Sequence, residues 1–91
     1  MGPKGRDLRV LTLNSLSCHA RYRGDLSQAV DHLKAACRLG RENLPFITSE
    51  HLPLTYLFYS SALALLGRHE AAYKKTQLAV SLAQHSLSEL T

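Results

Sequence analysis

The sequence predicts an all-α fold of two antiparallel helical hairpins, and three observations carry this. Apolar residues recur at three- and four-residue spacing along four segments, glycine and proline stand between those segments, and the second half repeats the first at a fixed offset. Leu8, Leu11, Leu13 and Leu16 form the apolar stripe of a first helix that runs to Gly24, where Asp25 opens a turn. From Leu26 onward, Ala29, Val30, Leu33, Ala36, Cys37 and Leu39 follow amphipathic spacing, with Asp31, Lys34, Arg38 and Arg41 on the other side. The second helix is expected to end near Gly40 to Asn43, with Gly40 as a C-terminal stop, and Pro45 disfavours helical geometry at Leu44 just beyond it. Thr48 or Ser49 is expected to cap a third helix that runs to Gly67, with Glu50 at its positive end. A fourth, from about His69 to Leu87, places Ala72, Tyr73, Thr76, Ala79, Val80 and Ala83 on its apolar face. The organisation expected is a flexible basic N-terminus at 1–7, a hairpin at 8–43, a loop at 44–49, a second hairpin at 50–88 and a tail at 89–91.

Gly24 and Gly67 stand 43 residues apart, and pairs of like residues recur at the same distance around them. Leu13 pairs with Tyr56, Leu16 with Tyr59, Ser17 with Ser60, Ala29 with Ala72, Val30 with Tyr73, Ala36 with Ala79, Cys37 with Val80 and Leu39 with Leu82. The small members let two helices approach closely while the large ones fill the space beside them. Glycine at each turn permits the positive backbone angle of a helix stop, and Ala36 and Ala79 leave room for stacking of the next hairpin.

Composition narrows the function. The 91 residues, 45% hydrophobic and 20% charged, suit one small core. Two cysteines, with no cleavable apolar leader, fit a reducing intracellular compartment. Met1-Gly2 is followed by Pro3, with Arg6 where lipidation wants Ser or Thr, so myristoylation is not expected. The uncharged run Leu52–Gly67 falls short of the roughly 20 apolar residues of a membrane span. The net charge of +4 lies wholly in the N-terminal half, as a spread of Lys4, Arg6, Arg9, Arg21, Arg23, Lys34, Arg38 and Arg41 without interleaved aromatics.

No chemistry of catalysis is legible. No two His or Cys residues fall at the i, i+4 spacing of a helical zinc site, and the five glycines form no phosphate-cradling loop. No metal, no cofactor and no enzyme activity are expected, and His19, His32, His51, His69 and His85 are read as surface or turn residues.

Thr12-Leu13-Asn14-Ser15-Leu16-Ser17, followed by Gly24, Ala29 and Ala36, resembles the tetratricopeptide repeat, in its long-period kinesin-light-chain-like variety. The resemblance spans about residues 8–87 and is closer in the first repeat, because Tyr56-Leu57-Phe58-Tyr59 replaces the Leu-Asn-x-Leu core in the second. It implies a short right-handed α-solenoid whose first helices line a concave, peptide-binding groove. The groove positions it implies are Leu11, Asn14, Cys18, Arg21 and Tyr22, then Leu54, Leu57, Ser61, Ala64 and Leu65. Asn14 is the informative member, since its amide can donate to and accept from an extended peptide backbone.

The function expected is a protein–protein interaction module, a scaffold or adaptor in the cytoplasm, with cytoskeleton or cilium association open. Its partner would be a protein or peptide, with self-association or docking on a larger assembly as further routes to cover the open hairpin faces. An RNA-binding helical-repeat element is a second reading, carried by the basic N-terminal half. A third is a purely structural bundle that dimerises through Tyr56, Phe58 and Tyr59.

Overall fold

The computed structural model describes residues 3–41 and 51–90, with side chains placed at 8–41 and 51–84. Four helices follow one another: α1 (Pro3–Tyr22), α2 (Leu26–Arg41), α3 (Leu52–Leu65) and α4 (His69–Leu90), with no strand among the described residues. α1 packs on α2 and α3 on α4, and the two hairpins meet through α3, which touches both α1 and α2.

The turns inside the hairpins are built alike. Gly24 and Gly67 hold φ of 86° and 82°, the left-handed geometry that costs glycine nothing. The Asp25 amide donates to the Ala20 carbonyl and the Arg68 amide to the Leu63 carbonyl, each at 2.9 Å, while Gly24 and Gly67 donate to Arg21 and Ala64. Each helix end thus closes in the same six-residue motif and uses carbonyls that would otherwise lack partners. Only the first turn adds a side-chain cap, where Asp25 Oδ1 accepts from the Gln28 amide at 3.0 Å.

Several boundaries differ from the expectation. α1 begins at Pro3, so the segment expected to be a flexible N-terminus is helical from its third residue. Proline presets φ there and lacks an N–H that a first turn leaves unbonded in any case. α2 ends at Arg41, within the expected Gly40–Asn43, and Gly40 lies in its last turn, where a Cβ would sit 3.0 Å from Leu52 Cδ1. Its role is to admit the start of α3. That helix is capped by His51 without a side-chain bond, and Pro53 occupies its first turn. The expected caps Thr48 and Ser49, Glu50 and the 44–49 loop lie outside the described residues. α4 continues to Leu90 through most of the segment expected to be a tail.

The core joins Val30, Leu33 and Cys37 of α2 to Leu52, Tyr56, Tyr59, Ala62 and Leu63 of α3 and Ala72 and Ala79 of α4. Ser17, Ala29, Ala36, Ala72 and Ala79, the small residues expected at the helix crossings, are all buried, and Ser60 is half-buried with its Oγ 2.6 Å from Thr76 Oγ1. The large residues of α1 behave otherwise. Val10, Asn14, Ser17 and Ala20 face inward, whereas Leu8, Leu11 and Leu16 are exposed and Leu13 is half-buried. α1 touches two helices at once, so its inward face is made of slim side chains and its leucines fall where no neighbour stands. On α4, Ala72 and Ala79 are buried but Tyr73 and Val80 are exposed, because among the described helices α4 packs on α3 alone.

Candidate interaction surface

Asn14 of α1 and Thr55 of α3 mark the seam between the hairpins. Both are buried, and Thr55 Oγ1 lies 2.8 Å from Asn14 Oδ1 and 3.0 Å from the His51 carbonyl. A hydroxyl carries one hydrogen, so it serves only one of these acceptors. With the amide as placed, Asn14 Nδ2 is buried and without a hydrogen bond. Turning the amide over lets Nδ2 donate to Thr55 Oγ1 and leaves the hydroxyl hydrogen for His51, which accounts for both short distances. In either orientation Asn14 points inward. The expectation that its amide lines an open groove is corrected: α3 packs over it, and it joins helices.

The other groove positions remain on the surface. On α1, Leu11, Cys18, Arg21 and Tyr22 are exposed. On α3, Leu54, Leu57 and Leu65 are exposed, with Phe58, Ser61 and Ala64 half-buried among them. The spacing 54, 57, 61, 65 draws one line along α3, opposite its buried face of Leu52, Thr55, Tyr59 and Ala62. The line 11, 18, 22 runs along α1 beside Asn14. Both lines flank the Asn14–Thr55 seam on the side away from α2, so two neighbouring helices present an apolar strip to solvent. Leu11, Leu54 and Leu57 keep 40%, 43% and 46% of their surface exposed.

The aromatic set proposed for self-pairing lies elsewhere. Tyr56 and Tyr59 are buried between α2 and α4, and Phe58 packs half-buried against the core. Lys75 Nζ sits 5.0 Å from the centre of the Tyr59 ring and 5.9 Å from that of Tyr56, within cation–π range. Burial raises both phenols above their ordinary range, and the Cys37 side chain adds to the rise. These rings therefore join the chain's own helices, and the expectation that they meet a second copy is corrected. Periodicity at one-turn spacing cannot separate a ring covered by a neighbouring helix from one that awaits a partner.

Two features bear on reactivity. Burial pushes the Cys37 thiol up to about 11, against the opposing pull of Lys75 and Arg41, so it is protonated at neutral pH. Among the described residues no three His, Cys, Asp or Glu side chains gather in a metal-binding group. No described helix is long and apolar enough to cross a membrane. Compared with protein-family models, curated proteins and solved structures, the chain finds no match in any of the three.

Proposed function

We propose that this chain is a tetratricopeptide-type interaction module of right-handed stack, which holds a peptide or helix of a partner protein against the strip on α1 and α3. Its role is to bind and scaffold in the cytoplasm, not to catalyse. The observation that carries the reading is the exposed line Leu54–Leu57–Leu65 beside Leu11 and Tyr22, on helices fixed by a buried seam. Apolar side chains held rigidly in water gain free energy by being covered, at roughly 25 cal/mol per Å² of apolar surface buried. The flanking Arg21 and Tyr22 are of the residue kinds that dominate binding hot spots.

The test is a selection of displayed peptides on the full chain, followed by affinity measurement on Leu57→Asp. Leu57 is exposed, so the variant should keep its helicity. Peptides that shift the amide resonances of Leu11, Leu54 and Leu57, and weaken about tenfold or more on the variant, are the expected outcome. An empty selection, or peptides indifferent to Leu57→Asp, would overturn the reading.

A further inference from the structure

Among the described helices α2 and α4 both pack on α3 and do not touch one another, so a cleft runs between them. It lies over the face of α3 opposite the Leu54–Leu57 strip. Tyr56 and Tyr59 form its floor, together with Val30 and Cys37 of α2. Toward the start of α2, Ser27, Asp31 and Lys34 meet Leu66 and Arg68 of the second turn around a hollow of about 310 Å³. Toward its end, Lys75 of α4 lies over both phenol rings and Arg41 of α2 stands beside the Tyr56 hydroxyl. Arg41 and Lys75 both act on the Cys37 thiol, so the two charges converge on one place.

Lys34, Arg41, Arg68 and Lys75 thus border a cleft that one acid, Asp31, lines. Among the described residues none of the four stands at ion-pair distance from a carboxylate, and Glu70 of α4 is paired with Lys74 instead. The rings beneath Lys75 are neutral, so that contact leaves its charge without a counter-ion. Lys75 is half-buried, and a charge so placed is screened less by salt than one on the open surface. The same rings decide the class of partner. Single-stranded nucleic acid is gripped by exposed aromatic side chains that stack on its bases, whereas Tyr56 and Tyr59 are only 3% and 8% exposed. Carboxylates need no ring and pair with the cations at the rim.

We infer that the cleft between α2 and α4 seats an acidic segment of a partner protein, whose carboxylates pair with Lys34, Arg41, Arg68 and Lys75. The inference rests on the interaction-module reading and gives it a second face of different chemistry, polar where the α1–α3 strip is apolar.

The probe is a fluorescein-labelled octaglutamate peptide, titrated against the full chain by anisotropy at low ionic strength beside octaglutamine and an oligouridylate of equal length. Octaglutamate should bind, octaglutamine should not, and the bound peptide should shift the amides of Lys34, Arg41 and Lys75. Lys34→Gln with Lys75→Gln should weaken it about tenfold. Arg21→Gln with Arg23→Gln, which removes the same charge at the end of α1, should change it by less than about twofold, with the circular dichroism of both variants unchanged. Should Lys75→Gln cost the fold, Lys34→Gln with Arg68→Gln, at two exposed positions, asks the same question. Equal losses on the cleft and control variants, or no binding, overturn the inference. A loss on the Arg21 and Arg23 variant alone moves the acidic segment to the end of α1 and overturns it, while the α1–α3 strip stands as a binding face. Oligouridylate that binds tighter than octaglutamate and weakens on the cleft variants assigns the cleft to nucleic acid and overturns it too.

Discussion

Thr55 is the residue at which two hairpins become one body. Thr55→Val keeps the shape and removes the hydroxyl, leaving Asn14 buried with one partner fewer. The cost expected is about 1–3 kcal/mol, the range for a buried polar group deprived of its bond. A lower urea midpoint with an unchanged slope checks it, and Thr55→Ser, which keeps the oxygen, should lose less. Neither residue announced this in the sequence. An asparagine on an amphipathic helix reads as a solvent or ligand contact, since amides are mostly exposed. The signal available was its place between Val10 and Ser17 at helical spacing, but the leucines of the same helix outweighed it. Gly40 carries two readings at once: it stands in the last turn of α2, where the helix was expected to end, and its lack of a side chain admits Leu52, which only the structure shows.

At the scale of the helix, the two turns differ in a way that can be tested. Both close with the same backbone bonds, but Asp25 caps α2 where Arg68 stands before α4. Asp25→Ala should cost about 1 kcal/mol, and Arg68→Asp should stabilise by a similar amount through a new cap at the positive end of α4. Thermal midpoints of the two variants, moving in opposite directions, check both. The hairpins and their turns were legible because glycine, small residues and periodicity agreed, and each reports a local constraint. Which face of α1 and α4 is covered was not. Tyr73 and Val80 sit at the places of Val30 and Cys37, which are buried because α3 covers α2, whereas among the described helices α4 packs on α3 alone. The pattern records a face fit for burial, and a neighbour is needed to bury it.

The whole molecule is a slab with extents of 38 × 28 × 17 Å, thin enough that many large apolar side chains remain at its surface. Its stability should depend on pH through the buried thiol. Burial raises Cys37 from 9.0 to about 11, so the folded chain holds this proton more tightly than the unfolded chain does. The contribution is complete below pH about 9 and is lost as pH rises toward about 11, where both states are ionised. Tyr56 and Tyr59, also raised by burial, act in the same direction. Urea midpoints measured upward from neutral pH should fall across this window. The fall should be shallower in Cys37→Ala, since the phenols alone would remain.

The seam has one further consequence, in time. Nearly every packing contact joins helices adjacent in sequence, and the Asn14–Thr55 bond spans 41 residues. Chains dominated by short-range contacts fold fast, and a bond across 41 residues carries a larger closure cost, so the seam is expected to form after the hairpins. A bond formed that late is absent from the barrier to folding. Its loss in Thr55→Val should therefore appear as faster unfolding with the refolding rate hardly changed, so the seam sets how long the native molecule lasts before it opens.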